Sequence, residues 1–139
     1  MAGEHTLHAE VLTPEGKVFE GEVEQLSTRT AVGEIGILAN HVPVLARLRP
    51  TELRLKKSDS ETETFAQAEG WLQVFANQAI VLVGECIPPG DLDTSVLQER
   101  LKDAEQRLGE AEEGSAAWDR AELDKDRAEA FLEVAGSGS

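Results

Sequence analysis

Residues 79–101 read AIVLVGECIPPGDLDTSVLQERL, and the pattern of the chain changes in the middle of them. AIVLVG is a short apolar run of the kind that forms a central strand buried on both faces. Pro88-Pro89-Gly90 cannot continue a ladder or a helix. Beyond it, Leu97, Leu101, Ala104, Leu108 and Ala111 recur at i, i+4, i+7, i+11 and i+14, which is one apolar stripe on an α-helix. The junction therefore divides the chain into a β region, 1–88, and a helical region, 91–135.

Upstream of the junction, apolar and polar residues alternate in short runs. LHAEVLT (7–13), KVFEGEVEQL (17–26), GEIGIL (33–38), PVLARL (43–48), TELRLKK (51–57), ETFAQAEG (63–70), WLQVFA (71–76) and AIVLVGE (79–85) each read as strand. Pro14-Glu15-Gly16 and Ala76-Asn77-Gln78 read as turns. About ten short strands at this spacing predict a β-sandwich or a flattened barrel. Trp71 is expected in its core.

Downstream, Ser95 with Gln98 offers a capping box, and Asp91 and Asp93 suit the positive end of a helix. Gly114-Ser115 breaks the pattern, with Ser115 a candidate N-cap. A second stripe follows in Trp118, Ala121, Ala128, Phe131, Leu132 and Ala135. Two helices with a short break predict an antiparallel hairpin. The fold class is α+β, an N-terminal β-sandwich followed by a C-terminal two-helix hairpin. Residues 136–139, GSGS, read as a flexible tail.

The formal net charge is −14, and residues 91–139 hold 14 acidic against 6 basic side chains, a net of −8. Such a surface does not suit phosphate backbones, so nucleic acid is not an expected partner. No apolar run nears the roughly 20 residues of a membrane span, so no direct membrane insertion is expected. MAGEHTLHAEV carries no basic segment followed by an apolar core, and a single cysteine allows no internal disulfide. Both features fit a reducing cytosolic compartment.

Catalytic patterns are missing. There is no phosphate-binding glycine loop, no His-Glu-x-x-His and no nucleophile elbow, and His5, His8 and His41 have no zinc spacing. Cys86 reads as a small buried hydrophobe. The expectation is no catalytic residue, no metal and no cofactor.

One local oddity remains, VGEIGILANHVPVL at residues 32–45. An acid, Glu34, and an imidazole, His41, sit in an apolar run. Pro43 keeps it from being a central strand, and Gly36 allows close approach of another backbone. Apolar side chains left exposed around one acid and one imidazole read as a docking surface.

Here the chain resembles the epsilon subunit of the rotary F-type ATP synthase. That family's pattern is Gly-Glu-(apolar)-Gly-Ile, a short loop, then His-x-Pro-Leu-Leu. This chain has Gly33-Glu34-Ile35-Gly36-Ile37 and His41-Val42-Pro43-Val44-Leu45. TRT-x-VGEIGIL takes the form seen in actinobacterial members. LHAEVLTPEGKVFEGEVEQL is similar to the opening hairpin, and FAQAEGWLQVFANQAIVLVGE to a later strand pair, with Glu69 and Trp71 in place of the usual Gly and Phe.

The resemblance implies a non-catalytic central-stalk subunit of a proton-translocating complex. It would be peripheral, on the cytoplasmic face of the cell membrane, and would couple rotation to ATP synthesis. Its implied partners are the gamma subunit and the polar loops of the c-ring, met by Glu34, Gly36, Ile37, His41, Val42, Pro43 and Leu45. When the hairpin extends, beta and alpha subunits are implied too, with possible restraint of ATP hydrolysis. An alternative is an ATP-sensing module, since some members bind ATP through Ile/Leu-Asp-x-x-Arg-Ala in the first helix. Here Leu92-Asp93 is followed by Val96 and Leu97 where arginine and alanine are needed. The remaining candidates for weak nucleotide or beta-subunit contacts are Asp93, Arg107, Arg120 and Arg127, so weak or absent ATP binding is expected.

Overall fold

Burial along the first strand, β1 (Leu7–Thr13), alternates: Leu7, Ala9 and Val11 are buried, while His8, Glu10 and Leu12 lie on the outer side. Period-2 alternation turns one face of a sheet to a core and the other to its surroundings. The same rule runs through β2 (Gly16–Val23), β3 (Gln25–Thr30), β4 (Gly33–Leu38), β5 (Val44–Leu48), β6 (Thr51–Lys56), β8 (Gly70–Phe75) and β9 (Gln78–Val83), whereas β7 (Thr62–Gln67) buries Phe65, Ala66 and Gln67 in succession and both residues of β10 (Cys86–Ile87) are half-buried. These strands belong to a computed structural model that describes residues 5–137; residues 1–4, and the final two residues of the expected tail, lie outside the described residues.

The strands follow the hydrogen-bonded order β10-β7-β6-β3-β5-β8-β9-β1-β2, with β4 on β3. Every pairing is antiparallel except that of β1 with β9. The path folds back on itself. Ile37 of β4, Phe65 of β7 and Val81 of β9 share one core with Leu7, Val11, Leu26, Leu53, Leu55 and Leu72.

A turn of 3-10 helix at Pro89–Asp91 leads to α1 (Thr94–Glu110), and α2 (Ala116–Ser137) returns beside it. A second, smaller core joins the hairpin to the sandwich. Ala66 of β7 and Ala68 just after it meet Leu97 of α1 and Phe131 and Val134 of α2.

Several expectations are corrected. The AIVLVG strand is central, but only Ala79, Val81 and Val83 are buried; Leu82 is exposed on the other face. The run 17–26 is two strands, and β3 continues to Thr30. Its polar residues obscured it, because Thr28 faces inward and donates to Gln67 Oε1 at 2.6 Å. Gln67 is fully buried and donates to the carbonyls of Arg49 and Ala68, so its amide is satisfied. The cap of α1 is Asp93, not Ser95: its Oδ1 accepts from the amides of Ser95 and Val96 at 3.0 and 3.3 Å. Ser115 does cap α2, accepting from the Trp118 amide at 3.1 Å. That helix continues through Gly136 and Ser137.

Candidate docking surface

The register of three strands builds one outward face. Leu45 on β5 lies opposite Gln73 on β8, Arg47 opposite Trp71, and Trp71 opposite Leu82 on β9. Residues two apart share a face, so Leu45, Trp71, Phe75 and Leu82 all point away from the core. Their exposures are 72%, 46%, 63% and 46%. Trp71 is therefore not a core residue as its size suggested; its ring lies under the Arg47 guanidinium, 5.7 Å from ring centre to cation. The position needs Gly70 beside it, because a Cβ there would come within 1.9 Å of the Leu82 carbonyl oxygen.

Each end of this face carries one polar residue of the 32–45 stretch. At one end is the β3–β4 tip. Thr30 Oγ1 donates to the Gly33 carbonyl at 2.9 Å and accepts from the Val32 amide at 3.2 Å, which leaves Val32 98% exposed. Glu34 stands next to it, with Arg29 at 3.6 Å. The tip adjoins β5, since the Ala31 amide donates to the Arg47 carbonyl at 3.0 Å.

At the other end is the loop after β4. Asn40 takes a positive φ of 63°, and its amide donates to Asn77 Oδ1 at 2.7 Å. Asn77 also donates through Nδ2 to the Thr6 carbonyl at 2.9 Å. One turn residue of β8–β9 thus fixes the loop and the entry to β1. His41 Nδ1 donates to the Val42 carbonyl at 2.7 Å, and its own amide to the Leu38 carbonyl at 3.2 Å. Leu38, Val42 and Pro43 are exposed around it.

Glu34 and His41, expected on one surface, are separated by the length of β4, about 15–20 Å at ~3.3 Å per residue. Ile37, expected to shape that surface, is fully buried and supports it from behind. Gly36 is exposed opposite Ser27, on the side of β4 away from the core. Val42, Pro43 and Leu45 are exposed as expected.

In the hairpin the expected cations are already occupied. Arg107 pairs with Asp103 and Asp124 at 2.8 and 2.9 Å, and Arg120 lies 3.7 Å from Asp124. Arg127 reaches across to the sandwich: Nε and Nη2 donate to the two oxygens of Glu69, and Nη1 donates to Glu85 at 3.0 Å. Burial opposes the charge of this guanidinium, but the two carboxylates outweigh it and raise its pKa. Glu69 was not among the expected functional residues. Its signal was its place next to Gly70, where the resembling pattern has glycine. Burial pushes the Cys86 thiol up to about 12, which disfavours the thiolate.

The sandwich exposes an apolar sheet face framed by two anchored turns, the kind of patch that marks an interaction surface. The family profile described as "ATP synthase, Delta/Epsilon chain, beta-sandwich domain" matches residues 6–89. An ATP synthase epsilon chain of Halalkalibacterium halodurans is 39% identical over 131 residues, covering 94% of this chain and 98% of that one. Another, of Persephonella marina, is 41% identical over 128 residues, covering 91% and 94%. Among solved structures, a chain of the Euglena gracilis mitochondrial ATP synthase shares the fold, with a TM-score of 0.79 at 20% identity over 94% of this chain and 81% of that one. The chain belongs to the ATP synthase epsilon-chain family. It is an epsilon chain, a subunit of the ATP synthase complex. No helix among the described residues is long and apolar enough to cross a membrane.

Proposed function

We propose that this chain fastens the rotating shaft to the ring, with the gamma subunit along the outer face of β5, β8 and β9 and the polar c-ring loops at the β3–β4 tip. The observation that carries the reading is the exposed apolar face of Leu45, Trp71, Phe75 and Leu82. A broad, nearly flat apolar face suits a long helical shaft that buries much area at once. The narrow tip, with Val32 and Glu34 projecting, suits short polar loops. The His41–Pro43 loop then lies at the shaft's far edge. In this arrangement the subunit is peripheral, on the cytoplasmic face of the cell membrane.

Pull-down with the gamma subunit tests it. The pair Leu45→Asp and Phe75→Asp should abolish capture while the isolated chain keeps its β spectrum. Undiminished capture by the folded variant overturns the reading. Val32→Asp should spare gamma binding and weaken incorporation of the ring.

For the hairpin the proposal is a docked resting state with little restraint on ATP hydrolysis. Both arginines needed for a triphosphate are held by carboxylates, and beta- and alpha-subunit contacts on extension meet a net-negative helix pair. Complexes with and without residues 91–139 should hydrolyse ATP at similar rates. A large release on deletion overturns this, and saturable ATP binding in calorimetry supports the nucleotide-sensing alternative instead.

A further inference from the structure

Four side chains at the sheet edge form a compact block that docking does not use. On β1, His8 and Glu10 share the outer face; on β2, the edge strand, Glu22 lies opposite His8 and Glu20 opposite Glu10. Two carboxylates placed directly opposite each other on neighbouring strands repel. The imidazole between them is held at both nitrogens. Nδ1 lies 3.0 Å from Glu22 Oε2, and Thr6 Oγ1 donates to the other oxygen of Glu22 at 3.0 Å. Nε2 faces two carboxylates, Glu20 at 3.0 Å and Glu10 at 3.7 Å. A single Nε2 proton serves only one of them, and Glu10 is beyond hydrogen-bond range. One ligand atom from each of His8, Glu10 and Glu20 lies within 4.8 Å of the others.

We propose that His8 Nε2, Glu10 and Glu20 form a binding site for a divalent transition-metal ion of the zinc class, with Glu22 orienting the imidazole. The donor set decides the class of ion. One imidazole with two carboxylates suits zinc, whereas calcium and magnesium take oxygen ligands. Three protein ligands leave room for water as the fourth. The Nδ1–Glu22 contact, with Thr6 behind it, is the outer-shell arrangement that fixes a metal-binding histidine. An ion here removes the Glu10–Glu20 repulsion and ties the edge strand to β1. Lys17, paired with Glu20, is the competitor it displaces.

Titration of the full chain with zinc chloride, in a Cys86→Ser background, tests the site by calorimetry. One saturable site is expected, with no heat from magnesium chloride at the same concentration. His8→Ala and Glu20→Gln should each weaken binding at least about tenfold, and Glu22→Gln by ~10–100-fold, the range for outer-shell partners. Absence of saturable zinc binding overturns the proposal. So does unchanged binding by His8→Ala, which would assign the zinc to His5 or His41. Should His8→Ala fail to fold, Glu10→Gln and zinc-induced shifts of the His8 ring protons in the parent chain decide the question in its place.

Discussion

The sandwich and the hairpin seam are built on different scales. The sandwich core unites sixteen buried apolar residues drawn from nine of its ten strands. The seam that fixes the helices to it has five, two of them alanines. At roughly 25 cal/mol per Å² of apolar surface, the first is a structural commitment and the second an adjustable attachment. The polar contacts follow the same division: the buried amide of Gln67 is satisfied inside the sandwich, whereas the seam relies on a partly exposed arginine between two glutamates. The contrast predicts that the helices can be loosened without unfolding the sandwich.

The largest expected effect tests the rigid half. Leu72 on β8 is fully buried, and Leu72→Ala should lower global stability by about 2–5 kcal/mol, lost transfer energy plus a cavity. Urea denaturation followed by circular dichroism at strand wavelengths measures it. Loss of the helical signal alone, with strands intact, would break the comparison.

Next comes the seam. Phe131 is the largest fully buried side chain and bridges α2 to the sandwich. Phe131→Ala should weaken hairpin docking by about 1.5–3 kcal/mol, the worth of burying such a ring. Limited proteolysis should then cut within 92–137 while 7–87 survives. A single cooperative unfolding at lower denaturant would mean that the two parts form one unit.

How much of this was legible in the sequence follows from the same contrast. Strand alternation and helical stripes report a residue's own burial, so β1 and β4 were placed to the residue, and Ser115 was recognised as a cap. What depends on another segment was not legible. Trp71 reads as core by size, but the register places it on the outer face under Arg47. Ile37 and Glu34 adjoin in one motif, yet the pleat and the length of β4 send Ile37 inward and Glu34 away from His41. β3 escaped notice beyond Leu26 because its inward threonine is satisfied by a glutamine 39 residues further along. Asn77 announced a turn but not the loop it secures.

A smaller effect is expected at the clamp. Arg127→Leu leaves Glu69 and Glu85 facing each other without their cation. The arginine and both glutamates keep 26–31% of their side-chain surface exposed, so solvent reaches the carboxylates left behind and the cost should be about 1 kcal/mol, not the larger figure for a sealed ion pair. Hydrogen exchange of α2 amides should quicken several-fold, with the β sheet unchanged, and added salt should narrow the gap between variant and parent. Equal exchange in the two would show the apolar seam holding the hairpin alone.

The smallest effect on the isolated chain is expected where the effect on assembly is greatest. Phe75 is 63% exposed at the end of β8 and contributes nothing to the core. Phe75→Ser should change the unfolding free energy by no more than about 0.5 kcal/mol, as is usual for surface positions. In the intact complex the same ring would be a buried aromatic anchor, the kind of residue that dominates binding when truncated. Measured together, the stability and the gamma-subunit affinity of Phe75→Ser should therefore diverge. Leu72→Ala, three residues earlier on the same strand, should instead lose both, because the strand that presents the surface would itself be lost. If both variants lowered stability alike, Phe75 would be structural and the outer face would no longer be the candidate docking surface.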